Sequence, residues 1–303
     1  MSELRAGIDI GGTKASIGLM EGARLLGKRR APVRRNAGCA AVMEDVAGEL
    51  RELCAELGVD MDRVGFCGIG VPGTVSNDGR TVRLAPNLGW MEEPCAELFE
   101  GRSGIPAALV QDARAAALAE QRLGAARGRS AVLCVTLGTG IGAGIVLGGQ
   151  IYAGALGGAG EVGHILAVPE GRACGCGRLG CVEAYSAGRG IAQTAAEHPW
   201  WKGAATSEAV FAAAAAGDAT ALGILTDAVN KLGAALSAVI NVLSPDALIF
   251  SGGMSAQREL YVQPLTDYIH SHAYALSVGE GLLIAPAQLG EDAPMVGAAL
   301  LNT

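Results

Sequence analysis

Cys174, Cys176 and Cys181 stand at C-x-C-x4-C spacing, with Gly175, Gly177 and Gly180 between them. Glycines let a backbone turn tightly enough for neighbouring thiolates to converge on one ion. The C-x-x-C spacing of a redox dithiol is absent, and a disulfide joining Cys174 to Cys176 would be strained. Three thiolates and one imidazole make a closed tetrahedral zinc site, structural in kind. Of the four histidines, His198 adjoins a tryptophan pair and His270 and His272 lie near a predicted helix end. Those three read as surface or packing residues, which leaves His164 as the candidate fourth ligand. The other five of the eight cysteines (Cys39, Cys54, Cys67, Cys95 and Cys134) stand singly in apolar or helical contexts. They read as small buried hydrophobes.

Two glycine turns carry a second kind of chemistry. "DIGGTK" holds Asp9 at a strand end, then Gly11, Gly12, the hydroxyl of Thr13 and the charge of Lys14. "LGTGIGAG" supplies Thr139, Gly140 and backbone amides but no charge. A glycine turn between strands lets a phosphate approach the backbone, whose amides then donate to it. Taken singly, each is equally an ordinary hairpin turn; two related copies are better explained as jaws around one polyphosphate. Neither is a Walker motif, and strands, not helices, follow the glycines, against a dinucleotide fingerprint. A third loop, "SGGM", places Gly252 and Gly253 at the end of a buried strand, where α/β folds bind ligands. It is assigned to a nucleoside.

The elements around these residues alternate. "RAGIDI", "ASIGLM" and "ARLLGKRRAPV" read as strands, followed by an amphipathic helix with Met43, Val46, Leu50, Leu53 and Leu57 on one face. "VGFCGIGV" has the continuous apolar character of a buried parallel strand, and "PGTVSNDGR" breaks it with turn residues. "AALVQD" is a further strand, with an alanine-rich helix after it. "AVLCVTL", "IGAGIVL" and "GGQIY" then repeat the strand, turn, strand, strand order of the first residues. A long helix from about Asp218 to Leu243, the strand "ALIFSGG", an amphipathic helix, the strand "LLIAP" and a short helix from Pro294 complete an α/β chain.

With 303 residues, half of them hydrophobic, the chain is long enough for two domains with a large core. A net charge of −7 leaves no basic surplus for nucleic acid or an anionic membrane. No N-terminal apolar stretch resembles a signal sequence, and "LGAALSAVINVL" is too short to cross a bilayer. The expectation is a cytoplasmic protein.

"DIGGTK", "GVPG", "LAPNLGW", "DARAAALAE", "LGTGIGAG", "GGAGEVGH", "CGCGRLGCVE" and "SGGM" occur in the order found in the ROK family of sugar kinases and related repressors. The resemblance spans nearly the whole chain. It implies an actin-like (ribonuclease-H-like) ATPase fold, with two domains around a cleft and a final helix that returns to the N-terminal domain. The expected division is 1–113 plus 291–303 against 114–290, the latter bearing the zinc site. Family repressors carry a DNA-reading helix-turn-helix ahead of the first phosphate loop, for which no room is expected here.

By the same resemblance, the activity is phosphorylation of a hexose by ATP with Mg²⁺, glucose at its 6-hydroxyl first, N-acetylmannosamine or allose as alternatives. A sugar sensor without activity is the rival of another class. Asp112, read alone equally a helix N-cap, falls on the family's general base. Asp9 falls near the metal and phosphates, and His164 on the fourth zinc ligand. Glu161, His164 and Glu183 match groups that hold sugar hydroxyls, joined by Gly73, Asn87 and Gln111. The family pattern N-D-A-N reads Gln111-Asp112-Ala113-Arg114 here, and Arg114 is expected to point to solvent from the first helical turn. Family members form dimers or tetramers, so a homo-oligomer is expected.

Overall fold

The computed structural model describes residues 3–34, 37–279 and 281–302. β1 (Leu4–Ile10), β2 (Lys14–Glu21) and β3 (Arg24–Pro32) form an antiparallel meander around the first glycine turn. α1 (Gly38–Glu56) buries Met43, Val46, Leu50 and Leu53 on one stripe. Leu57 falls one residue past its end. β4 (Val64–Val71) lies parallel to β1, as its continuous apolar run predicts. Next come β5 (Thr74–Val75), β6 (Val82–Ala85) and β7 (Trp90–Glu93), a separate antiparallel sheet where the sequence shows only a break. Strands this short hold too few residues to display alternation. α2 (Cys95–Ser103), β8 (Ala107–Gln111) and α3 (Asp112–Arg122) follow.

The second half opens with β9 (Ala131–Leu137), β10 (Ile141–Leu147) and the two-residue β11 (Gln150–Ile151). After an irregular stretch come α4 (Glu183–Ser186), α5 (Gly188–Glu197), α6 (Ser207–Ala215) and α7 (Ala219–Leu243). Asp218 caps α7, its carboxylate accepting from Ala221 N–H at 2.8 Å. β12 (Ala247–Ser251), α8 (Gln263–His272), α9 (Ala275–Val278), β13 (Leu283–Pro286) and α10 (Ala293–Ala299) complete the order. α7 is long and apolar enough to cross a membrane, yet 56% of its most apolar window is buried against the protein.

The two large sheets run β3-β2-β1-β4-β8 and β11-β10-β9-β12-β13. Each is a three-strand meander continued by two parallel strands, so the internal echo in the sequence is a repeat of topology.

The chain forms two compact units. One gathers Met1–Gly128, Gly144–Ala159 and Gln288–Thr303; the other holds Arg129–Ala143 and Gly160–Ala287. This division differs from the expected one by keeping α3 and 144–159 with the first unit. Packing explains why α3 stays: α10 lies on α3, β1, β4 and β2. The approach is backbone to backbone, since a Cβ at Gly68 would sit 1.8 Å from Ala298 O, and one at Gly297 1.7 Å from Ala115 O. Polar ties hold the same return. Arg5 Nε donates to Ala299 O at 2.8 Å. The fully buried Glu120 carboxylate accepts from the N–H groups of Ala125 (2.8 Å), Gln288 (3.0 Å) and Leu289 (2.8 Å). The last helix thus packs on strands of the N-terminal unit.

Candidate active site and metal cluster

In the first unit, register aligns Asp9 of β1 with Gly70 of β4 and Gly70 with Val110 of β8. The carboxyl ends of three neighbouring strands thus share one sheet edge, where α/β sheets bind ligands. Gly73 follows β4 with φ 139°, and a Cβ there would lie 2.2 Å from Leu84 O. Gln111 ends β8 and occupies the N-cap of α3, so Asp112 is the first helical residue, not the cap. Its Oδ1 accepts from Ala113 N–H at 2.7 Å. Asn87 lies exposed in the turn before β7.

Asp9 and Asp112 sense each other. Burial, and then the Asp112 charge, push the Asp9 carboxyl from its ordinary 3.8 up to about 7, with Lys14 opposing. In the glycine turn beside it, Gly11 N–H donates to Lys14 O at 2.8 Å. Gly12 and Thr13 form the tip, with Thr13 exposed. Lys14, expected as a phosphate charge, reaches Glu291 Oε2 at 3.1 Å.

Arg114 corrects the expectation made for it. It is buried (6% exposed), and its Nη2 donates to Gly157 O at 2.6 Å and Ala159 O at 2.9 Å. Asn77 Nδ2 donates to Ala155 O of the same loop at 3.1 Å. A loop of small residues has no side chains of its own to pack, so external donors to its carbonyls fix it. Sequence shows a cation one turn into a helix but not which carbonyls approach it.

In the second unit, Thr139 and Gly140 form the turn between β9 and β10, closed by Gly138 N–H to Gly140 O at 3.0 Å. The first turn of α5 is bonded to it, through Gly188 N–H to Gly138 O at 2.9 Å. Gly252 has φ 83°, and a Cβ there would meet Leu137 O at 2.4 Å. Thr139, Gly253, Arg189, Glu208, Phe211 and Gln257 help line a cavity of about 760 Å³. Arg189, Glu208 and Gln257 were not singled out by sequence, because helix-surface residues carry no spacing signal.

His164 and the three cysteines come together as expected, their ligand atoms all within 4.8 Å of one another. Cys176 Sγ and Cys181 Sγ are 3.6 Å apart, and Cys174 Sγ is 3.7 Å from His164 Nδ1. Two ligands at tetrahedral angles on zinc, with Zn–S of about 2.3 Å, stand roughly 3.7 Å apart. The four residues therefore fit the ion. The knuckle is shaped by Cys174 N–H to Arg178 O (2.8 Å) and Gly180 N–H to Arg172 O (2.8 Å). Burial, and then the neighbouring thiols, push Cys181 up to about 12, while at Cys176 burial is outweighed by backbone and thiol hydrogen bonds, which hold it below its ordinary value.

The ring of His164 turns its other nitrogen, Nε2, toward Glu161 Oε2 at 3.9 Å. Glu183 is more constrained: Oε2 accepts from Ile141 N–H at 2.8 Å, while Oε1 lies 3.4 Å from Arg189 Nη2. A residue expected at the sugar thus braces the second glycine turn. His270 and His272 are exposed, each with Nδ1 on the carbonyl four residues back (2.9 and 2.8 Å), and the five cysteines outside the cluster are buried, Cys39 and Cys95 with their sulfurs 2.6 Å apart.

Comparison with known proteins places this geometry among others. The model of the ROK family matches residues 5–303. A glucokinase of Halalkalibacterium halodurans is 34% identical over 307 residues, covering 96% of this chain and 92% of that one. Among solved structures, the ROK hexokinase from Thermus thermophilus superposes with a TM-score of 0.84 at 34% identity, covering 98% of this chain and 97% of its own. A ROK family glucokinase from Streptomyces griseus, solved in complex with glucose and AMPPNP, gives 0.80 at 33%, covering 98% of both chains.

Proposed function

The chain belongs to the ROK family, and on that premise we propose that it transfers the γ-phosphoryl group of ATP to the 6-hydroxyl of glucose. The fold is the actin-like ATPase fold of the family's kinases, and the activity is that of an ATP-dependent sugar kinase. One observation carries the reading furthest: Asp112 stands at the β8–α3 junction, close enough to Asp9 for each carboxylate to feel the other at one sheet edge.

Phosphoryl transfer asks a protein for positioning, charge neutralisation and a proton acceptor. Asp112 accepts the hydroxyl proton as the sugar oxygen bonds to phosphorus and ADP departs with the bridging oxygen. Asp9 holds Mg²⁺, an assignment supported by a buried carboxyl whose proton a cation would displace. When bound, Mg²⁺ neutralises phosphate charge. The backbones of Gly11, Gly12, Thr13 and Lys14, and of Thr139 and Gly140, cradle the phosphates; Gly252 and Gly253 border the nucleoside. Gly73, Asn87, Gln111, Glu161, His164 and Glu183 are assigned to the sugar. Zinc held by His164, Cys174, Cys176 and Cys181 would fix the loop that carries three of these, an assignment supported by the convergence of the four ligand atoms within 4.8 Å of one another.

The test couples ADP release to a panel of hexoses and N-acetylhexosamines. Glucose is expected to give the highest kcat/KM, and Asp112→Asn to lower kcat at least about a hundredfold with glucose binding retained. Near-normal turnover in that variant removes the base assignment. Glucose binding without turnover in the native protein makes it a sensor instead.

A further inference from the structure

We infer that Arg189 binds the phosphate chain of the nucleotide, supplying the positive charge that the second phosphate turn lacks in its own sequence. The inference rests on the kinase reading above and adds to it a residue that neither motif nor spacing marks.

Three observations carry it. The backbone around Arg189 is fixed on the turn: Gly188 N–H donates to Gly138 O at 2.9 Å, and Arg189 N–H points at Thr139 O at 3.5 Å. Its side chain, 66% exposed, lines the cavity that Thr139 and Gly253 border. Among the described residues lining that cavity, only Arg189 and Glu208 are charged. A phosphate chain is repelled by the carboxylate of Glu208 and attracted by the guanidinium, so the Arg189 end is the anionic end.

Charge supply elsewhere is thin. Lys14, the one cation in the first turn, is engaged by Glu291 at 3.1 Å. The partner of Arg189 is Glu183 at 3.4 Å, longer than the roughly 2.7–2.9 Å of a strong charge-assisted bond. An exposed ion pair of that kind is weak. A phosphate group, which a guanidinium grips with two parallel N–H bonds, outcompetes it. The helix end adds to the preference, since the positive end of the α5 dipole lies at Gly188. On this assignment Arg189 leaves Glu183 when nucleotide enters, and Glu183 keeps its bond to Ile141 N–H.

Calorimetric titration with ADP and with adenosine separates the outcomes. Arg189→Ala is expected to weaken ADP at least about tenfold, the worth of a charge-assisted bond, and adenosine by less than about twofold. Arg189→Lys should recover part of the ADP affinity, because it keeps the charge and loses the fork. Unchanged ADP affinity in Arg189→Ala overturns the proposal, and so does an equal loss for ADP and adenosine, which marks a packing role. If the native protein binds neither ligand and releases no ADP with any sugar, the kinase reading falls and this inference with it. A native enzyme that turns over while Arg189→Ala binds ADP normally refutes Arg189 alone.

Discussion

Asp9, assigned above to the metal, illustrates how a site carboxyl can act against the stability of the chain that holds it. Its carboxyl is raised from 3.8 to about 7, by burial first and by Asp112 second. A folded-state value above the unfolded one means that the folded protein keeps a proton the unfolded chain has released. The stability contributed is complete below pH 3.8 and is lost as pH rises through about 7. Asp9→Asn removes that penalty, so its Tm gain over the native protein, measured without nucleotide, should be roughly 3 °C or more at pH 8 and smaller at pH 5. A gain that does not grow between the two pH values contradicts the raised carboxyl. Activity should fall in the same variant. Legibility at this scale is uneven. Asp9 stands out at a strand end beside its glycine turn, whereas Asp112, read alone equally a helix N-cap, is marked only by the resemblance. Arg114 does not stand out, because a guanidinium that binds Gly157 O and Ala159 O answers to carbonyls 43 and 45 residues away.

The knuckle between Val162 and Glu183 contains little regular structure, only a short 3-10 turn and the isolated bridges Leu166↔Cys181 and Ala173↔Leu179. Its backbone bonds are turns and cross-links, not a ladder, among them Ala167 N–H to Gly180 O and Val182 N–H to Ile165 O, and on the zinc assignment proposed above metal coordination would fix the loop further. Elemental analysis of unchelated protein should find close to one zinc per chain, and Cys176→Ser should lose it. Limited proteolysis should then cut the loop in the variant and spare it in the native form. Zinc content unaltered by the substitution excludes Cys176 as a ligand. The cluster was legible because thiolate chemistry concentrates in few residue types at short range. The β5–β7 sheet was not, because two- and four-residue strands leave no period to read.

Across the whole molecule, duplication was the most legible feature: two glycine hairpins far apart in sequence open two sheets of the same order. The assignment of α3 and residues 144–159 to the first unit was not legible, because it depends on the face α10 covers. Glu120 ties that arrangement from within α3 through Gln288 and Leu289. Glu120→Ala takes a fully buried carboxylate away from three part-buried N–H groups and is expected to cost about 2 kcal/mol in urea unfolding. A cost under about 1 kcal/mol would show that the carboxylate is dispensable. The packing of α10 also sets an order in time. β1 and β4 leave the ribosome early, yet the helix that covers them spans residues 293–299. At 5–20 residues per second, the glycine-lined face of the sheet, with Gly7, Gly18 and Gly68, waits on the order of ten seconds for its cover. During synthesis, therefore, the first unit is begun first and completed last, its closing helix made after every strand and helix of the second unit.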